Sequence, residues 1–349
     1  MPNPSSCPPY PEALVWASDR LRLLDQRRPP AEGVWIECRS LDDVVAAIRS
    51  LVVRGAPLIG VAAAYAVVLE EVRLRPAASE EKRRRLEEAL DRLAAARPTA
   101  VNLAYAVGRM RRVLADDPPE LGTALLAEAC SIAREEEESS WAMGREGARR
   151  LEPGVRVLTH CNTGSLATLG PGTALGVVRC AWGEKRLAEV SCTETRPWGQ
   201  GLRLTTYELL YSGVPVTLLT ESAAGARLLD GAYDWLVVGA DRISPRGDVL
   251  NKIGTHMLAR LARLGGARVM VVAPTSTVDP AWDGRAEGRI EERPGDEVWR
   301  SLGAGDPPPG LRIANPVFDR TPAEAVDLIV TERGSARPGD KDLARILGL

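Results

Sequence analysis

Apolar residues recur at helical spacing through the first part of the chain and at strand-like spacing through the second. Leu41, Val44, Val45, Ile48, Leu51 and Val52 share one face of a 3.6-residue period. Ser40 with Asp43 fits a capping arrangement at the start of that helix, and Gly55 and Pro57 break it. An Ala-rich run from Ile59 to Glu70 suits close helix packing, while Glu80 to Ala96 is charged and amphipathic. Further helices are predicted over Asn102–Leu114 and Leu121–Arg150, with Asp116-Asp-Pro-Pro119 punctuating between them.

From position 154 the pattern changes. Short β-rich runs (Val155–Thr159, Glu189–Cys192, Val214–Leu219, Trp235–Val238, Val269–Ala273) alternate with helix-like segments near 173–180, 201–211, 222–230, 252–264 and 322–331. The last of these has Thr321 as N-cap, Pro322 in the first turn and Glu324 at the capping-box position. Strand–helix alternation implies a mainly parallel sheet covered on both faces. The expected fold is therefore α/β: an all-helical N-terminal domain over 1–133, then a Rossmann-like domain over 134–349.

Composition narrows the possible functions. The 349 residues carry a net charge of only −2, so no overall field argues for nucleic acid or an anionic membrane as partner. The basic run Lys82-Arg83-Arg84-Arg85 is flanked by Glu80, Glu81, Glu87 and Glu88 and reads as a solvated helix face. No apolar stretch reaches the roughly 18 residues of a membrane span, and the start has no signal-peptide pattern. Six cysteines (7, 38, 130, 161, 180 and 192) show no CxxC pair or secreted-scaffold spacing, which fits a reduced, cytoplasmic protein. With two histidines, His160 and His256, and no HExxH motif or carboxylate ladder, no metal-ligand pattern is present.

Polar, Gly-rich chemistry gathers in five segments: Arg54-Gly-Ala-Pro57; Cys161-Asn-Thr-Gly164 with Gly170-Pro-Gly172; Glu194-Thr-Arg-Pro197 with Gln200; Gly239-Ala-Asp241-Arg242; and Asn251-Lys252. The last four follow predicted strands, and the carboxyl edge of an open sheet is where ligands bind. Cys161 is either a small buried hydrophobe or a catalytic thiol. Asp241 is either a plain ion-pair partner of Arg242 or an acid. His160 reads as a core or supporting group. Glycines near Cys161 and Gly172, with the helix opening near Thr173, would let backbone N–H groups approach an anion. Arg54, Arg97, Arg196 and Lys252 could add charge-assisted bonds to a phosphate. Gly170-x-Gly172-x-x-x-Gly176 is not the dinucleotide fingerprint, so NAD is not expected.

At these residues the chain resembles the methylthioribose-1-phosphate isomerase family, relatives of the regulatory subunits of the translation-initiation nucleotide-exchange factor. The likeness runs almost end to end: Leu24-Asp-Gln26, Val53-Arg-Gly-Ala-Pro-Leu-Ile-Gly60, Arg97-Pro-Thr-Ala-Val-Asn-Leu103, Thr159-His-Cys-Asn-Thr-Gly164, Gly239-Ala-Asp-Arg-Ile243, Asn251-Lys-Ile-Gly-Thr255 and Asn315-Pro-x-Phe-Asp319. The resemblance implies a homodimer, no cofactor and a small sugar phosphate as substrate. It implies aldose-to-ketose isomerisation of 5-methylthioribose 1-phosphate in methionine salvage. Cys161 and Asp241 match the family's catalytic pair. Arg54, Gly55, Ala56, Arg97, Gln200, Asn251 and Lys252 match its substrate-binding positions.

Four places depart from the family pattern. Thr193 stands where Asp commonly precedes Glu-Thr-Arg-Pro, Glu221-Ser222 replaces Asp-Asn or Asp-Ser, Ala104-Tyr105 replaces bulkier aromatics, and Arg289 stands where Pro is usual. A sister enzyme for 5-deoxyribose 1-phosphate or ribose 1,5-bisphosphate is the nearest alternative, and a non-catalytic regulatory protein the alternative of a different class.

Overall fold

The computed structural model describes residues 8–97, 100–284, 290–301, 303 and 305–349. A small antiparallel sheet comes first: β1 (Leu14–Trp16), β2 (Leu21–Leu24) and β3 (Trp35–Cys38). Five helices follow, α1 (Leu41–Arg49), α2 (Ala56–Arg73), α3 (Ser79–Ala94), α4 (Val101–Asp116) and α5 (Leu121–Arg149). The N-terminal region is thus helical but not all-helical. Its three short strands pair Leu21 and Leu23 into the helical core, and nothing in their brief runs separates them from loop.

The capping box at α1 is present: Asp43 N donates to Ser40 Oγ at 3.2 Å and Ser40 N donates to Asp43 Oδ2 at 3.0 Å. The Ala-rich α2 is buried on nearly every side, as its lack of a polar face requires. α5 runs unbroken through position 133, packing on α2 and α4 at one end. Near its centre Glu136 is 8% exposed, and burial followed by the neighbouring Glu332 charge pushes its carboxyl up to about 8. The folded state then holds a proton that the unfolded chain releases in the ordinary carboxylate range, so stability falls as pH rises towards 8. Glu136→Gln is expected to match the wild-type Tm near pH 5 and exceed it near pH 9. Thermal unfolding across that range checks it, and parallel pH profiles would refute it.

The second part contains a seven-stranded sheet of order β13-β12-β10-β7-β4-β5-β6. Its strands are β4 (Val155–Thr159), β5 (Leu187–Thr193), β6 (Thr217–Leu219), β7 (Trp235–Val238), β10 (Arg268–Val272), β12 (Leu328–Thr331) and β13 (Gly334–Ala336). All neighbours are parallel except β12 and β13. Helices α6 (Ala174–Gly183), α7 (Thr206–Tyr211), α8 (Glu221–Leu229) and α9 (Thr255–Leu264) lie between strands, with α10 (Asp296–Arg300) and α11 (Leu343–Leu347) later. A separate antiparallel trio, β8 (Arg242–Ile243), β9 (Val249–Lys252) and β11 (Phe318–Thr321), sits at the carboxyl end of the large sheet.

Two expectations need correction. The helix expected over 322–331 is a single 3-10 turn at Ala323–Ala325 followed by β12. Leu328, Ile329 and Val330 pair with Met270, Val271 and Val272, and a short β-rich run in a buried sheet position overrides a capping signature. Glu324 pairs with Arg260 instead of capping. The helix expected from 252 begins at Thr255, because Asn251 and Lys252 belong to β9. Among the described residues no helix is long and apolar enough to cross a membrane.

Candidate active site

The first strand of the large sheet, β4, lies in its interior beside the central β7. β5 and β6 follow on one side and β7, β10 and β12 on the other, so the winding reverses between β4 and β7. The crevice at such a reversal is where open α/β sheets bind ligands. Cys161 lies just beyond β4 and Asp241 just beyond β7, so the two chosen groups flank it.

A cleft opens there, lined by Arg54, Gly55, Ala56, Arg97, Cys161, Gln200, Asp241 and Lys252. An adjoining compartment shares Arg54, Gly55, Ala56, Cys161 and Asp241 and adds Asn251, Thr163 and Thr173. All nine residues singled out from the sequence therefore meet in one place. Arg54, Gly55 and Ala56 arrive at the start of α2, Arg97 follows α3, and Lys252 ends β9.

Cations outnumber anions in the cleft. Arg54, Arg97, Lys252 and Arg293 line it with Asp241 and Glu297, and Arg293 pairs with Glu291 and Glu297. Burial pushes the Arg54, Arg97 and Lys252 acidities towards the neutral form, with Arg293 adding repulsion in each case. Burial likewise raises the Asp241 carboxyl above its ordinary range, only partly countered by Lys252, Arg97 and Arg54. Apolar groups also line the cleft, among them Leu51, Ile59, Trp198 and Phe318. The Lys252 ammonium sits 4.7 Å from the centre of the Phe318 ring. Among the described residues no group of three His, Cys, Asp or Glu stands together to hold a metal.

Cys161 adopts φ +70, a left-handed conformation uncommon for a side-chain-bearing residue. Its N–H donates to Thr195 Oγ1 at 3.0 Å, its carbonyl accepts from Thr205 Oγ1 at 2.6 Å, and Gln200 Nε2 lies 3.4 Å from the sulfur. His160 behind it is fully buried and pushed down to about 4 by burial, so it is neutral. Its Nε2–H must donate to Ile253 O at 2.9 Å, which makes Nδ1 the acceptor of the Thr193 hydroxyl at 2.6 Å. The imidazole thus ties the Cys161 loop to the end of β9 beside Lys252.

The Initiation factor 2 subunit family matches residues 52–338. The methylthioribose-1-phosphate isomerase of Alkalilimnicola ehrlichii is 49% identical over 92% of this chain and 93% of its own length. The crystal structure of 5-methylthioribose 1-phosphate isomerase from Pyrococcus horikoshii OT3 superposes with a TM-score of 0.89 at 36% identity, covering 99% and 98% of the two chains. The chain belongs to the methylthioribose-1-phosphate isomerase family. A structure titled translation initiation factor eIF-2B, subunit delta, from A. fulgidus is also similar, with a TM-score of 0.83 at 38% identity over 97% and 99%.

Several finer expectations for this isomerase change once its contacts are seen. Asp241 is not the partner of Arg242, which pairs with Asp279 at 3.4 Å. Arg196 turns away from the cleft to Ser301 Oγ and Val298 O. Cys192 is fully buried, its thiol pushed up to about 12, and it does not line the crevice. Cys38, Cys130 and Cys180 also lie away from the cleft, and Cys7 is outside the described residues.

The backbone anion cradle is likewise occupied from within. Gly172 N donates to Ser140 Oγ and Thr173 N to Thr163 O, while Ser165 N and Leu166 N donate to Glu208. These four N–H groups are therefore committed within the protein.

The departures from the family pattern sit at different depths. Thr193 belongs to the His160 hydrogen-bond chain, and Glu221 Oε1 accepts from Thr195 N at 2.7 Å; neither lines the cleft. Tyr105 lines a different cavity, and Arg289 is outside the described residues. Sequence reasoning missed Arg293, Trp198 and Phe318. Trp198 lies inside the Glu194–Gln200 segment and Phe318 within Asn315–Asp319, so both motifs contained the signal. Arg293 follows an irregular acidic stretch that offered none.

Proposed function

We propose that the protein converts 5-methylthioribose 1-phosphate to 5-methylthioribulose 1-phosphate, a step of methionine salvage. The observation carrying this reading is the meeting of Cys161 and Asp241 in one cleft lined by both cationic and apolar side chains. The cations suit a phosphate, and Leu51, Ile59, Trp198 and Phe318 suit an uncharged sulfur-bearing end.

Phosphate on the anomeric oxygen keeps the sugar ring closed, so ring opening must come first. Asp241, held towards its protonated form by burial, gives its proton to the ring oxygen as the C1–oxygen bond breaks. The hydrogen on C2 then passes to C1 while the C2 hydroxyl loses its proton and becomes the ketone. Cys161 serves as the base in an enediol-like route or positions C2 for direct hydride transfer. Deuterium at C2 reports the route: retention in the product indicates hydride transfer, and washout to solvent indicates the base. Remote binding of the phosphate supplies part of the energy for ring opening. A homodimer with no resident cofactor, in the cytoplasm, completes the reading carried over from the family.

The test is turnover of purified protein on 5-methylthioribose 1-phosphate beside 5-deoxyribose 1-phosphate and ribose 1,5-bisphosphate. Preference for the methylthio sugar supports the proposal, and preference for another moves it to a sister isomerase. Folded protein that turns over none returns the regulatory alternative. Lys252→Ala is expected to raise KM about 10-fold or more with a smaller change in kcat, because the ammonium contributes mainly to phosphate binding. An unchanged KM would remove Lys252 from the phosphate site.

A further inference from the structure

The loop after Cys161 encloses a carboxylate of the protein itself. Glu208 on α7 is wholly buried and accepts from Ser165 N at 2.7 Å, Ser165 Oγ at 3.0 Å, Leu166 N at 3.3 Å and Asn162 Nδ2 at 2.7 Å. Arg179, also wholly buried, closes the set with an ion pair at 2.8 Å. A Cβ at Gly164 would lie 2.0 Å from Glu208 Oε2, so the small residue in this loop serves the internal carboxylate.

Asn162 carries the consequence to the cleft. A carboxylate only accepts hydrogen bonds, so the amide must turn its NH2 to Glu208 and its oxygen the other way. That oxygen and the Asn162 carbonyl then accept two nitrogens of one guanidinium: Arg54 Nη1 on Oδ1, and Nη2 on the carbonyl at 2.9 Å. Arg54 shares the cleft with Arg97, Lys252 and Arg293, whose like charges disfavour its placement there. Two fixed acceptors backed by a buried negative charge offset that repulsion.

We propose that Glu208 is a positioning residue for the phosphate site, holding Arg54 through Asn162 in its binding orientation before substrate arrives. This rests on the reading of Arg54 as a phosphate ligand. Preorganising one cation spares the ligand the ordering cost, and small displacements of such groups are expensive. If Glu208 served only as counter-ion to Arg179, Arg54 would be energetically independent of it.

The experiment is a double-mutant cycle on the full chain. The dissociation constant for inorganic phosphate is measured together with kcat and KM on 5-methylthioribose 1-phosphate. Glu208→Gln and Asn162→Ala are each made alone and with Arg54→Ala. Each is expected to weaken phosphate binding about 10-fold or more when Arg54 is present, and to have almost no further effect when it is absent. KM should rise more than kcat falls, and Glu208→Asp should recover part of the loss. If Glu208→Gln fails to fold, Asn162→Ala carries the same cycle with the Arg179–Glu208 pair intact.

Equal losses in both backgrounds, or none in either, overturn the proposal. Normal turnover with an additive cycle defeats this inference alone. Coupled phosphate binding without turnover of the sugar phosphate defeats the proposed reaction and leaves the positioning role standing. Wild-type protein that binds no phosphate defeats both.

Discussion

Asp241→Asn is expected to lower kcat by about 10²–10⁴-fold while leaving the fold intact or slightly more stable. The amide keeps the shape of the carboxyl but cannot give a proton to the ring oxygen. The strand contact is made by the backbone, Asp241 N to Leu250 O at 2.9 Å, and Arg242 has its own partner in Asp279, so neither needs the acid. Burial holds the carboxyl towards its neutral form, so a permanently neutral amide removes a penalty at higher pH. Lost turnover with an unchanged or raised Tm would separate function from stability. Retained kcat would end the acid assignment. In the wild type, kcat should decline as pH rises through the Asp241 titration, since only the protonated form donates. Cys161→Ser is expected to stop turnover in the same way, with the left-handed backbone held by Thr195 and Thr205.

Gly55→Ala is expected to destabilise the protein by about 3 kcal/mol or more and to take activity with it. A Cβ at this position would lie 2.4 Å from Ala167 O and 2.5 Å from Ala167 Cα, and backbone atoms in a packed loop cannot yield as a side chain can. The residue also has φ +93. The contact joins the start of α2 to the loop after Cys161, where Leu58 N donates to Ala167 O at 3.1 Å and Gln26 Nε2 to Leu166 O at 2.7 Å. Relief of the clash therefore moves Arg54 relative to Cys161. Gly154 supplies the control, with φ +81 and open space around its would-be Cβ. Gly154→Ala should cost only the backbone preference, about 1–2 kcal/mol. Urea unfolding of the two variants checks the comparison, and equal losses would show that the Ala167 contact does not matter.

Much of the architecture could be read along the chain because it rests on local regularities. The capping box at Ser40 and Asp43, the period of α1 and the alternation after position 154 all arise from side chains close in sequence. Eight of the nine candidate site residues stood out because they sit in short Gly- or polar-rich segments, where ordinary packing gives little cause for such residues; Arg97 was marked by its charge and by the family likeness. Family likeness then supplied the roles that spacing had left open between catalysis and packing for Cys161, and between acid and ion pair for Asp241.

Other features depended on partners far away in sequence. The strand at Leu328–Thr331 carries a helix-start signature, yet its β-rich side chains gain more by joining β10. The Gly-rich loop after Cys161 reads as a phosphate cradle, but two of its amides, Ser165 N and Leu166 N, are spent on Glu208, more than 40 residues away in sequence. Arg293 joins the cationic cleft from a segment with no pattern of its own.

The sequence by itself determined the helical and strand periods, the α/β class and the chemical groups available, because these follow from neighbouring residues. Only the tertiary structure decided which charge faces which: Arg242 with Asp279, Arg179 with Glu208, and Asp241 left among Arg54, Arg97 and Lys252. Those pairings depend on burial and on contacts between distant segments, and neither is a property of any local stretch of chain.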